Sequence, residues 1–245
     1  MRASARPVAT VAAVLLGLLA WELAGRGLAS PVLPPASAVL RAAWSMQGLG
    51  EDLAASLSRV LIGYTAAAAA GVGLGGLLAL GGTFGAGVLG AVQVLRPIPP
   101  IAWVPLAILW CGLGDPSAWF IVFIGAFFPI FTQVAWALAG TPPALLELGE
   151  SLGASRWLVL TRIRFPAALP GIVAGLRTGL GLAWTSVVAA ELVGAQSGLG
   201  YRIQMHRLVL ETDGVLVGMA TIGLCGFLMD GVAGQLERRI VARLA

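Results

Sequence analysis

The sequence predicts an all-α integral membrane protein with about six transmembrane helices. Three observations carry the prediction. Only 11% of the 245 residues are charged and 58% are hydrophobic, whereas a soluble domain carries about a quarter charged residues. The mean hydropathy is +0.93, more apolar surface than a water-soluble fold of this length can hide. The apolar residues also come in unbroken blocks, which points to helices and away from the short alternating segments of a transmembrane barrel. At about 20 residues per crossing, six spans and their loops use up residues 1–245, so the chain reads as a single transmembrane domain.

Each span has its own signature. The first, about residues 8–24, follows Arg2 and Arg6. It resembles a signal core but is long and lacks a clean small-x-small cleavage site, which favours a retained helix. The interval 30–58 opens with prolines and then reads as a short amphipathic helix. The second span, about 60–80, carries small residues at four-residue spacing (Gly71 and Gly75, Gly81 and Gly85), the spacing that lets helix backbones approach closely in lipid. The third span contains Arg96 and the prolines Pro97, Pro99, Pro100 and Pro105. Proline removes a backbone donor, so the expectation is a lead-in segment to Arg96 and a kinked helix from about Pro100 to Cys111. Broken backbone at membrane depth has to face protein or a cavity, so this span is expected to line the interior. The remaining spans are about 117–138, 171–190 and 215–232.

Arginine placement sets the orientation. Arg2 and Arg6, then Arg156, Arg162 and Arg164, then Arg238, Arg239 and Arg243 share one side if six spans cross, which puts both termini in the cytoplasm. Arg177 is expected to snorkel from the fifth span to that inner interface. With no lysine in the chain, a phosphate-cradling Gly-Lys-Ser/Thr loop cannot form. One histidine and two cysteines, Cys111 and Cys225, give no metal-ligand spacing and read as apolar fillers. The net charge of +4 is that of membrane-edge arginines rather than of a nucleic-acid binder. No acid sits at mid-depth as an ion-coupled transporter would place it.

One stretch concentrates charge. Residues 142–166, "PPALLELGESLGASRWLVLTRIRFP", read as two short helices hinged at Gly153. Pro142 and Pro143 suit a helix start. Leu145, Leu148 and Leu152 share one face, and Glu147, Glu150 and Ser151 the other. Gly153 closes the first helix, Ser155 caps the second, and Pro166 is expected to stop it. An amphipathic helix lying on the inner leaflet is the bland alternative, but it needs neither a glycine hinge nor acids on its polar face.

This stretch resembles the pattern E-A-A, three residues, G, nine residues, I-x-L-P of permease subunits of binding-protein-dependent ABC importers. Glu147, Gly153, Ile163 and Pro166 stand at the family spacing, while Leu148 and Gly149 replace the two alanines and Phe165 the leucine. "LRPIPPIAWVPLAILWCGLG", "GAFFPIF", "GLRTGLGLAW" and "AELVGAQSGLGY" are similar to the nitrate/sulfonate/taurine branch, from about residue 31 onward.

The resemblance implies the type I importer permease fold, with a cytoplasmic coupling helix between spans four and five. It implies that Glu147, Glu150, Gly153, Ala154, Ser155, Arg156 and Pro166 meet a cytoplasmic ATPase subunit. It also implies ATP and Mg bound by that partner and not by this chain, an extracytoplasmic substrate-binding protein, a second permease copy and a bacterial inner membrane as the setting. Trp103 and Trp184, in motif-bearing spans, with Gln133 and Thr185 as hydrogen-bonding groups and Glu191 near the span end, are the candidates for the translocation path; an aromatic belt is the commoner role for such tryptophans, and a satisfied structural group the commoner one for a lone acid such as Glu191. The loop 194–204 reads either as a flexible glycine turn or as an outer-mouth element that meets the binding protein. An ion-coupled secondary transporter and a non-transporting membrane scaffold remain the competing readings. Uptake without ATP, and co-purification with an ATPase, separate them.

Overall fold

The structure, a computed structural model, describes residues 5–28, 30 and 32–242, with side chains from residue 11 onward. Arg2, Arg243 and the Arg6 side chain lie outside that description. All regular structure among the described residues is helical. The long helices are α1 (Ala5–Leu28), α3 (Leu49–Leu80), α6 (Asp115–Ala139), α9 (Phe165–Gly194) and α11 (Thr212–Ala242), each apolar and long enough to cross a bilayer. Between them lie α2 (Ala36–Ser45), α4 (Gly82–Gln93), α5 (Val104–Cys111), α7 (Pro143–Ser151), α8 (Arg156–Val159) and α10 (Leu199–Leu208).

The third crossing is made of pieces. Proline forces a 3-10 turn over Pro100–Trp103 before α5 can begin. The Arg96 guanidinium lies 5.9 Å from the centre of the Trp136 ring, one turn from the end of α6. From there the chain runs through α5 to Gly114, whose N–H donates to the Gly194 carbonyl at the other end of the bundle (2.9 Å). Val104 and Ala107 of α5 are buried. The expected kinked helix is therefore present, and α4 is a separate element ahead of it.

The core is α6, held between α3 and α9. Its residues Ile121, Val122, Ala126, Ile130, Phe131 and Val134 are essentially inaccessible. Lipid offers no hydrophobic drive between helices, so close van der Waals contact has to supply cohesion. Both neighbours provide it by turning small residues toward α6. A methyl group added to Gly71 of α3 would lie 2.8 Å from Ile130, and one on Gly75 would lie 2.7 Å from the Phe131 carbonyl oxygen. On α9, Gly175 and Gly179 meet Gln133 and Ile130 in the same way (2.6 and 2.5 Å). Gly81 and Gly85, by contrast, serve the α3–α4 corner, where Gly85 lies against the Leu78 backbone.

Two span boundaries differ from the sequence reading. Helix α3 begins at Leu49 rather than near 60, because the segment with Glu51, Asp52, Ser56 and Arg59 is helical, with Ser56 and Arg59 buried. The helix containing α9 begins far ahead of 171: α8, a π turn over Leu160–Arg164 and α9 form one continuous helix from Arg156 to Gly194. Helix α1 contacts α2 through the Trp21 indole, which donates to the Pro34 carbonyl (3.0 Å). The Glu22 carboxylate accepts from the Ser37 N–H (2.9 Å) and hydroxyl (2.8 Å), satisfying an orphan donor at the start of α2.

The backbone contact at Gly75 cannot yield as a side chain can. Gly75→Ala is expected to destabilise the fold by about 1–3 kcal/mol. Gly73→Ala faces open space on the same helix and is expected to be neutral or to stabilise by up to about 1 kcal/mol. SDS titration of the detergent-solubilised protein, followed by tryptophan fluorescence, compares the two.

Candidate functional site

The hinge between α7 and α8 is built by local chemistry. Gly153 has φ +74°, a conformation that costs a side-chain-bearing residue about 1–2 kcal/mol. Its N–H donates to the Glu150 carbonyl (2.9 Å) and the Ala154 N–H to the Gly149 carbonyl (3.0 Å), the paired bonds of a Schellman cap. The Ser155 hydroxyl then accepts from the Leu158 N–H (3.3 Å) and starts α8. Glu147, Glu150, Gly153, Ser155 and Arg156 are exposed and Ala154 is half-buried. Leu145, Leu148, Leu152 and Trp157 are also exposed, so the elbow presents an apolar face and a charged face without a partner among the described residues. Glu147, Glu150 and Arg156 form no ion pair among the described residues.

The inner side of the elbow packs back on itself. A methyl group on Gly149 would lie 2.7 Å from the Ile163 side chain and 3.3 Å from Val159, which accounts for glycine where the family pattern has alanine. A groove of about 330 Å³ runs beside it, lined by Leu80, Leu146, Glu150, Ala154, Arg156 and Arg164 among others. Leu80 ends α3, so the elbow sits at one end of the bundle, called here the hinge end.

Pro166 does not stop the second helix. It lacks the N–H that would bond the preceding turn. The widened π turn over Leu160–Arg164 directly ahead accommodates it, and α9 continues. The elbow is thereby joined to the middle of the bundle by unbroken helix.

The far end holds a charged cluster in which Glu191 is a satisfied structural group, with partners that the sequence does not identify. Arg59 of α3 and Glu191 of α9 are 3% and 1% exposed. The Arg59 Nη1 donates to Glu191 Oε1 (2.7 Å) and to the Ser197 carbonyl (2.7 Å), and Nε donates to Asp115 Oδ1 at the start of α6 (2.8 Å). The Ser56 hydroxyl lies 2.8 Å from the same Glu191 carboxylate. The start of α10 completes the cluster. The Gly198, Leu199 and Gly200 N–H groups donate to Asp52 (2.7 Å), Ser56 (3.0 Å) and Glu191 (2.9 Å), filling three of the orphan donors of that helix. Residues 194–204 are therefore a pinned turn and a helix start, not a flexible glycine turn.

A second cluster joins α9 to α11. The Arg177 Nε and Nη2 donate to the two oxygens of Asp230 (2.8 and 2.7 Å), and Nη1 donates to Glu237 (2.9 Å). These two acids hold the guanidinium between α9 and α11, with the Arg177 side chain still 37% exposed. Gly234 leaves room for the guanidinium, since a methyl there would lie 3.1 Å from its central carbon.

The path candidates do not form one constellation. Trp103 lies edge-on to Phe120 (6.5 Å) with its buried indole N–H unpaired. Gln133 is half-buried against Gly175. Trp184 faces α11 and donates to the Ile222 carbonyl (3.0 Å). Thr185 is exposed and bonds its own helix at Leu182. Glu191 has both oxygens engaged in the far-end cluster. The available signal was a lone acid interrupting an apolar run at Glu191 and an arginine at the start of one at Arg59. Nothing in the sequence pairs residues 132 positions apart.

A family model described as the binding-protein-dependent transport system inner membrane component matches residues 67–242. A putative ABC transporter permease of Methanocaldococcus jannaschii is 38% identical over 224 residues, covering 88% of this chain and 84% of that protein. The taurine transport system permease of Escherichia coli is 35% identical over 229 residues, covering 90% and 83%. A nitrate import permease of Synechocystis is 35% identical over 196 residues, covering 80% and 71%. A chain of the MetNI methionine ABC transporter, solved in inward-facing conformations, superposes with a TM-score of 0.70 at 20% identity, over 80% of this chain and 97% of that one. The fold is shared.

Removing one partner of a buried ion pair leaves the other charge uncompensated, at a cost of about 3–5 kcal/mol. Arg59→Met is expected to destabilise by that amount, and Arg59→Met with Glu191→Leu to recover part of it. SDS-induced unfolding of the single and double variants measures the coupling.

Proposed function

The chain belongs to the family of binding-protein-dependent transport system inner membrane components, and from that premise we propose that it is the transmembrane subunit of an ATP-driven importer. Its solute is a small anion or zwitterion of the kind named for its relatives: nitrate, a sulfonate or taurine. An extracytoplasmic binding protein delivers the solute, and two cytoplasmic ATPase subunits drive a pair of permease copies in a bacterial inner membrane. The chain is one permease domain, with both termini and the α7–α8 elbow in the cytoplasm.

The observation that carries this reading is the elbow. It is an exposed two-helix hinge with an unbroken helical connection into the bundle, and among the described residues its apolar face has no partner and Glu147, Glu150 and Arg156 form no ion pair. An ATPase groove that takes Leu145, Leu148 and Leu152 would meet Glu147 and Arg156 with charge-assisted hydrogen bonds. The small residues Gly153, Ala154 and Ser155 permit close approach. Motion of the elbow then becomes motion of α9, because the π turn at Pro166 keeps the helix continuous. Trp103, Gln133, Trp184 and Thr185 remain path candidates. Glu191 acts in this reading as an anchor at the outer end of the path rather than as a solute contact.

Charge reversal at Glu147 together with Gly153→Leu is expected to weaken association with the ATPase by about tenfold or more, the equivalent of one lost charge-assisted contact of about 1.5–3 kcal/mol. Uptake in vesicles is expected to fall with it. Co-purification and uptake both at the unaltered level would show that the elbow is not the docking element.

A further inference from the structure

Arg164, in the π turn, carries a donor that nothing among the described residues meets. Its Nε is buried without an acceptor, and Arg164 forms no ion pair among the described residues. A buried N–H without an acceptor, on a group that stays charged, is unfavourable whatever surrounds the chain. The elbow groove of about 330 Å³ is where an acceptor can enter, because Arg164 lines it together with Arg156 and Glu150. Two arginines against one acid leave a local charge of +1. One singly charged anion brings that sum to zero.

A second groove, of about 280 Å³, adjoins the first and shares Leu80 and Leu160 with it. It runs between α3 and α9 over α6. Val72 and Gly76 line one side, Phe165 and Ile172 the other, and the buried Val134 and Leu138 the floor. No charged group lines it. Val72 lies about 12 Å from the hinge end of α3, at 1.5 Å per residue. One leaflet is about 15 Å of hydrocarbon, half of the roughly 30 Å core, so the groove follows most of a leaflet. Trp157 lines it beside the shared Leu160, and tryptophan favours the level of the lipid headgroups.

We propose that the two grooves together hold one phospholipid with a singly charged phosphodiester headgroup, its phosphate on Arg164 and Arg156 and an acyl chain between α3 and α9. A basic hollow at the cytoplasmic edge of a helix bundle, continuous with an apolar channel, matches such a lipid in charge and in the order of its polar and apolar parts. A zwitterionic headgroup leaves the +1 in place. The hydroxyls of a glycerol headgroup can donate to Glu150. Arg156 has five N–H donors and can serve the phosphate and an ATPase subunit together. A soluble subunit meets the elbow from the solvent side but cannot follow the groove into hydrocarbon. This lipid site is independent of which solute the chain carries.

The test places the full-length chain in nanodiscs of phosphatidylglycerol and phosphatidylcholine in equal amounts, transfers it to detergent and weighs it by native mass spectrometry. Phosphatidylglycerol is expected to stay bound about tenfold in preference to phosphatidylcholine, as one charge-assisted contact allows. Arg164→Gln is expected to cut its retention by about the same factor, and Arg164→Lys to keep most of it. Gly76→Leu is expected to cut it as much. A Cβ at Gly76 meets only the Leu138 side chain, at 3.7 Å, so the larger residue fills the groove without displacing backbone. Circular dichroism checks that each variant is folded. Equal retention of the two lipids, or retention unchanged in Arg164→Gln, would overturn the headgroup assignment. Loss in Arg164→Gln but not in Gly76→Leu would show that a free anion meets Arg164 and would overturn the lipid. A dimer that retains no phospholipid would give the groove to the second copy and overturn it as well.

Discussion

The Glu191 carboxylate is the point at which the far end of the molecule is tied together. It is 1% exposed, so water cannot compensate an open charge and its lone pairs must be met by protein. Arg59 and Ser56 meet it from α3, and the Gly200 N–H meets it from the start of α10. Arg59 in turn reaches Asp115, which begins α6. One buried acid thereby fixes both helices that flank α6, the start of α6 itself and the turn after α9.

The two ends of the bundle are built on opposite principles. The far end is closed by a buried ion pair whose oxygens and guanidinium are met by protein groups, an arrangement that resists deformation because loosening it exposes an ion. The hinge end is held by a glycine cap, a serine cap and a π turn, and most of its side chains are exposed. Between them, α6 is gripped by glycine faces that leave little free volume. A displacement applied at the elbow is thus carried into α9 by continuous helix and resisted at the far end.

Helix α11 stands apart from that compact core. Little of its apolar length is buried, and its named polar ties to α9 are the Arg177 fork on Asp230 and Glu237 and the Trp184 indole on the Ile222 carbonyl. Its glycines Gly214 and Gly218 pack closely on His206 and Ile203 of α10, and Gly226 on Trp184 of α9, while large side chains such as Leu224, Phe227 and Leu228 remain exposed.

By itself the sequence determined what depends on neighbouring residues or on summed composition. The membrane class followed from apolar blocks of spanning length, and the broken third crossing from the prolines around Pro100. The elbow followed from a glycine and a serine two residues apart between helical patterns, because a left-handed cap and an N-cap are local chemistry. Tertiary structure alone decided which charges meet. Arg59 with Glu191, and Arg177 with Asp230, are paired across 132 and 53 residues, and only the packing of α3, α9 and α11 brings them together. It also decided that Pro166 continues a helix rather than ending one. Whether a missing donor breaks a helix depends on whether the preceding turn can widen within its surroundings, and the residues beside a proline do not carry that information.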